Sequence, residues 1–196
     1  MRILILCLAL LCAVPAQAED LNSIYQGYAA DTETALDQPH RGIAELGAWL
    51  SEVVANCVQF TPGNAAQKLT QIRPYFSDQG FKSYTDFLAA QGYGAMLNAQ
   101  TLNLTSVVNS APMLIGQGAS AGRYAWAYEM PVVLSASSMP GSDPINKTVI
   151  LRIQVGRNAA ATNPMGVLIE SWQVFVEPPA AAANPANDSG QPVGAP

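Results

Sequence analysis

With a single histidine, His40, among 196 residues, the chain is poorly equipped for proton transfer near neutral pH, the task imidazole suits best. His40 stands in Gln38-Pro39-His40-Arg41, which reads as an exposed loop ahead of the first long helix, not as a catalytic position. Cysteine is equally scarce: Cys7 and Cys12 fall at the very start, and only Cys57 lies beyond them. One remaining thiol cannot close an internal disulfide, so the core alone must hold the fold. There is no cysteine pair for zinc, no His-Glu-x-x-His, no Gly-x-Ser-x-Gly elbow, no Walker loop and no Gly-x-Gly-x-x-Gly. Zinc and triad hydrolase chemistry are thereby excluded, and no cofactor or metal is expected. Charge is sparse as well, at 12 % of residues with a net of -5. The few basic residues are scattered, which leaves neither a nucleic-acid footprint nor a patch for anionic membranes. Beyond the first residues, no apolar run is long enough to span a bilayer.

What the N-terminus does hold is a basic start (Met1, Arg2), an apolar run from Ile3 to Val14, and Pro15-Ala16-Gln17-Ala18, a small-x-small ending. That is the pattern of a cleavable export signal over residues 1–18. The run is short of the roughly 20 residues that a spanning helix needs. A lipoprotein site at Cys12 is disfavoured by Leu11 before it, where a small residue belongs. The mature chain should begin near Glu19, carry a net charge of about -6 once Arg2 is gone, and enter no membrane after cleavage. Cys57 sits in a helical apolar pattern, which predicts a buried, inert thiol.

Residues 19–40 form a polar arm with Tyr25 and Tyr28 as its main large side chains. From Arg41 the pattern becomes helical: Ile43, Leu46, Leu50, Val53, Val54 and Cys57 recur every three or four residues, and Trp49 widens the stripe. Thr61-Pro62-Gly63-Asn64 predicts a turn with Asn64 as a cap. Leu69, Ile72, Tyr75 and Phe76 mark a second helix, which Pro74 should bend or stop. Ser77 or Asp78 can cap a third helix carrying Phe81, Tyr84, Phe87 and Leu88, closed by Gln91-Gly92-Tyr93-Gly94.

Past Ala95 the period falls to two. Leu102 to Ala111, Met113 to Gly118, Gly122 to Ala136, Lys147 to Arg157 and Val167 to Glu177 read as five successive strands. In the third, Tyr124, Trp126, Tyr128 and Met130 share one face, while Arg123, Ala125, Ala127 and Glu129 share the other. One strongly apolar sheet face needs a cover, and helices followed by antiparallel strands predict an α+β domain over residues 41–177, with its helices on one side of a curved sheet. Pro131 removes a ladder donor in mid-strand, which predicts a bulge, a bend or an exposed edge. Residues 178–196, rich in Pro and Ala, cannot bury enough surface to order themselves and read as a disordered tail.

A cone-shaped α+β domain can enclose a pocket where an Asp base and a Tyr donor do isomerase work. Asp78, Asp86 and Glu129 are the available carboxylates. Asp78 reads as a cap, Asp86 falls on the polar side of the third helix, and Glu129 points away from the aromatic face. The aromatic stripe is expected to be core rather than the lining of a ligand cavity.

Gly116-Gln117-Gly118-Ala119-Ser120-Ala121-Gly122-Arg123-Tyr124-Ala125-Trp126, running on to Met130-Pro131-Val132-Val133-Leu134, resembles the central hairpin of the DotI/IcmL family, which also includes the TraM proteins of IncI-type conjugation systems. The Tyr75-Phe76-Ser77-Asp78-Gln79-Gly80-Phe81 step, the run from Phe87 to Leu97, the strand Val149 to Val155 and the closing Trp172-Gln173-Val174-Phe175 extend the resemblance from about Gly42 to Val176. It implies a periplasmic domain of nuclear-transport-factor-like fold, without catalysis, that assembles with protein subunits of a type IVB secretion or conjugation machine, further copies of itself included. Arg123 begins a strand where its guanidinium can bind a carboxylate or backbone carbonyls. Sheet edges are natural docking surfaces, so the partner surface is expected around Arg123 and on the edge near Pro131, Val132 and Leu134. Family members at the inner membrane keep a transmembrane helix, whereas this chain starts with a signal-like run, which equally fits a soluble accessory or a paralogue that has left the machine. Two other readings remain open: a periplasmic binding protein for a small apolar ligand, if a cavity opens on the Tyr124, Trp126, Tyr128 face, and an isomerase-like enzyme, if a buried carboxylate sits in it.

Overall fold

A computed structural model describes residues 34–138 and 142–175. The expected signal, most of the arm, the tail, Cys7 and Cys12 lie outside the described residues.

The first half is helical: α1 (Ile43–Cys57), α2 (Ala65–Ile72), a 3-10 turn (Arg73–Tyr75), α3 (Asp78–Ala90) and α4 (Tyr93–Asn98). The three- and four-residue spacing in α1 becomes a single buried face of Leu46, Trp49, Leu50, Val53, Val54 and Cys57. Pro74 falls in the 3-10 turn that ends α2, as its missing N–H requires. Of the two candidate caps for α3, Ser77 does the work: its Oγ accepts the Gly80 N–H at 3.0 Å, a contact worth about 1 kcal/mol. Asp78 is the first helical residue and pairs with Arg73. Asn64 occupies the N-cap position of α2 without capping it, because its Oδ1 takes the Thr61 N–H instead. The Gln91-Gly92-Tyr93-Gly94 segment is not only a stop. Gly92, at φ 82°, turns the chain so that α4 starts one residue later, which a left-handed glycine permits at little cost.

The second half is a five-stranded antiparallel sheet of β1 (Asn103–Val108), β2 (Met113–Ser120), β3 (Arg123–Ser137), β4 (Ile145–Arg157) and β5 (Val167–Phe175), in the order β1-β3-β4-β5 with β2 also on β3. β1 pairs with the C-terminal half of β3 and β2 with its N-terminal half. The expected α+β architecture, with helices packed on one face of the sheet, is the one observed. Between the layers lie Trp126, Tyr128, Met130, Val132 and Leu134 from β3, Val149, Leu151, Ile153 and Val155 from β4, and Trp172 from β5, all at most 2 % exposed. Tyr84 Oη donates to the Cys57 carbonyl at 2.6 Å and Tyr128 Oη to that of Ile43 at 2.9 Å, so the buried phenols spend their polar ends on α1. Phe76, Tyr84, Phe87 and Trp172 stack with ring centroids 5.2 to 6.3 Å apart.

Residues 34–41 form a strap across the end of the sheet. Tyr124 N–H donates to Leu36 O at 2.7 Å, the buried Arg157 donates to Ala35 O and Gln38 O, and Arg41 donates to Pro164 O at 3.1 Å. His40 is half-buried, not exposed: its Nε2 lies 2.6 Å from Met165 O and its ring 6.0 Å from that of Trp126.

Candidate partner-docking surface

Alternation along β3 sends every second residue to the face that none of the described helices covers. Cross-strand register groups these residues in rows: Val107, Val133 and Thr148; Pro131, Ile150 and Phe175; Met113, Glu129, Arg152 and Gln173; Gly116, Ala127, Gln154 and Ser171. The Glu129 carboxylate takes two hydrogen bonds from Arg152, at 2.7 and 3.3 Å, and that guanidinium stands 4.4 Å from the centre of the Phe175 ring. A shallow trough of about 270 Å³ runs over Gly116, Gly118, Ala125, Ala127 and Gln154. A Cβ at Gly116 would meet nothing within 4 Å, so the trough floor is open by composition rather than by internal packing need.

Arg123 opens β3 at the rim of this face. Its Nη1 lies 2.8 Å from Oε1 of Glu170 on β5. Glu170 is the extra residue of a bulge, since Gln154 pairs with Ser171 and the next β4 residue, Val155, with Ile169. Around the pair, Ser77, Gln79, Gln154 and Gln173 line a polar hollow of about 430 Å³. Nothing in the sequence linked Arg123 to Glu170, because only the strand order brings them together.

The edge expected at Pro131 is corrected. β3 is an interior strand, with β4 on one side and β1 and β2 on the other. Asn109 N–H donates to Pro131 O at 3.0 Å, and a strand residue's N and O point the same way. The missing donor therefore faces the gap where β1 hands over to β2, which is why proline is tolerated there. Val132 and Leu134 are 0 % exposed and point into the core, so their side chains cannot meet a partner. Among the described strands β1, β2 and β5 each pair with one neighbour; single bridges from Phe60 to Leu104 and from Phe76 to Ile169 touch the edges of β1 and β5, and β2 has no such bridge. Met113 and Ile115 on it are 59 % and 41 % exposed, and no charged residue occurs between Asp86 and Arg123.

The other side chains singled out by the sequence are engaged within the fold or at its surface. The aromatic stripe is core, with Trp126 and Tyr128 at 1 % and 0 % exposed, and burial pushes the Tyr128 phenol up to about 12. Burial also drives the Cys57 thiol far up, against the opposing charge of Lys68, which favours the protonated thiol within the buried face of α1. Asp78 and Asp86 are 97 % and 63 % exposed and paired with Arg73 and Lys82. Glu129 is held by Arg152. An open apolar groove of about 650 Å³ lies away from the stripe, against Leu69, Pro74, Phe76, Phe81 and Leu168. Among the described residues, no cluster of His, Cys, Asp and Glu has the makings of a metal site, and no helix is long and apolar enough to cross a membrane.

No curated protein sequence matches the chain. Among solved structures, the periplasmic domain of DotI is similar at 18 % identity, covering 71 % of this chain and 99 % of that one, with a TM-score of 0.62. A periplasmic fragment of TraM is similar at 19 % identity, with 69 % and 100 % covered and a TM-score of 0.62. An IcmL-like type IV secretion system protein of Legionella pneumophila gives 19 %, 72 % and 99 %, with a TM-score of 0.59. Those likenesses speak for the fold. The family model for DotI/IcmL, described as an inner-membrane complex component of the type-IV b secretion system, matches residues 29–175, about three-quarters of the sequence, and the chain belongs to that family.

Proposed function

We propose that the chain is a non-catalytic periplasmic interaction subunit, or accessory, of a type IVb secretion or conjugation apparatus, exported by a signal that is cleaved after Ala18. Its arm would span residues 19–40, its domain 41–177 and its tail 178–196. The family to which it belongs supports the complex, and the likeness to periplasmic domains supports the compartment. The observation that carries the interaction reading is the β2 edge. Exposed edges are normally blunted by charge or proline, yet Met113–Ser120 has neither, and a partner strand added there would gain main-chain hydrogen bonds. Arg123, beside the end of the same hairpin, would orient that partner.

Affinity-tagged chain, purified from cells that carry the apparatus, should bring other apparatus subunits with it. Ile115→Lys should abolish that co-purification while leaving the melting temperature nearly unchanged, because a partly exposed side chain is replaced. Retention of the partners by this variant would overturn the edge assignment. N-terminal sequencing of the same sample should read from Glu19, and Met1 would overturn the cleaved signal.

A further inference from the structure

We propose that the face of the sheet left uncovered by the described helices docks a second copy of this chain, face to face about a two-fold axis. Three of the few exposed large apolar residues, Val107, Met113 and Phe175 at 63 %, 59 % and 42 %, lie on this face. In register between them stand the half-buried Pro131, Val133 and Ile150. A contiguous apolar surface of this kind on a small domain marks an interface.

Charge identifies the occupant. In the rows from Val107 to Ser171 the only charged residues are Glu129 and Arg152, directly opposite one another on β3 and β4. A surface carrying one acid beside one base is neutral as a whole, which offers little to a strongly charged partner. It is complementary to itself, because a two-fold rotation can set Glu129 of each copy against Arg152 of the other. The body supports the same conclusion: residues 34–175 contain eight basic and eight acidic residues, and the net negative charge of the mature chain falls in the segments outside them. Two bodies approaching face to face meet no net repulsion. Size agrees as well. Four strands about 4.8 Å apart and about eleven residues of about 3.3 Å each give a face on the order of 700 Å², close to the roughly 800 Å² per partner of a stable interface.

This inference deepens the reading of the chain as an assembly subunit, but its test needs no apparatus. Sedimentation of the exported full-length chain across micromolar concentrations should show a reversible dimer. Val107→Glu should weaken it by about 100-fold or more, the size of a hot-spot loss. Glu129→Arg should weaken it too, and the double variant Glu129→Arg with Arg152→Glu should restore it, with circular dichroism and melting confirming that each variant is folded. A chain that stays monomeric throughout, or a dimer indifferent to Val107→Glu and Glu129→Arg, would overturn the proposal. A monomer in which this sheet face is covered only when apparatus subunits are added would give that face to another protein, and would overturn it while leaving the apparatus reading intact.

Discussion

The guanidinium of Arg123 on β3 and the carboxylate of Glu170 on β5 meet at 2.8 Å by reaching over the intervening strand, where Gly156 leaves them room. A Cβ at Gly156 would stand 2.5 Å from that carboxylate. Gly156→Ala should therefore push Glu170 off Arg123 and cost about 1 to 2 kcal/mol in denaturant unfolding. Arg123→Ala should cost less than about 1 kcal/mol, since its end of the pair is partly exposed. Equal and negligible losses for both would show that the pair does not depend on the bare backbone beneath it.

Gly80 is the tighter contact. It sits in the first turn of α3 against the β5 bulge, and a Cβ there would lie 1.9 Å from Ile169 O. Backbone atoms cannot yield as a side-chain tip can. Gly80→Ala should destabilise by about 3 kcal/mol or more despite alanine's better helix propensity, and thermal melting would read the loss directly.

Trp126 is 1 % exposed and packs against Tyr124 at a ring distance of 4.8 Å. Trp126→Ala should cost roughly 3 to 5 kcal/mol. A stable, fully folded variant that lost only its partners would move this side chain from the core to a binding surface.

Burial pushes the Tyr128 phenol up from 10.0 to about 12, and moves those of Tyr84 and Tyr93 in the same direction. The unfolded chain therefore ionises these groups first. The contribution of Tyr128 is complete below pH 10 and is lost as the pH rises toward 12, and Tyr84 and Tyr93 act in the same sense. Unfolding free energy should fall across that window, and Tyr128→Phe should flatten the slope at the cost of about 1 kcal/mol at neutral pH for its hydrogen bond to Ile43.

Much of this fold can be read from periodicity, because the helix stripe of Leu46 to Cys57 and the alternation of Trp126, Tyr128 and Met130 each answer to a buried face. Local chemistry was legible too, as with Ser77 at the start of α3. Neighbour order was not. Pro131 in an extended run signals a missing donor, but whether that donor faces solvent or a handover between two strands depends on which distant segments pair with β3. The same limit hid the unbridged edge of β2 and the Arg123 to Glu170 contact, whose partners lie far apart in the chain. Helix α4 was obscured by Gly92 and Gly94, which look alike to a reader of turns although only Gly92 takes a left-handed conformation.

The strap over residues 34–41 has a mechanical consequence. Its anchors, Ala35, Leu36, Gln38, His40 and Arg41, bind β3, the end of β4 and the loop before β5. Tension applied upstream of Thr34 would reach these hydrogen bonds before it reached Ile43. The load would pass into the long central strands and spare α1, whose face holds the core closed, so the domain can be pulled by its leading end without being unwound from it.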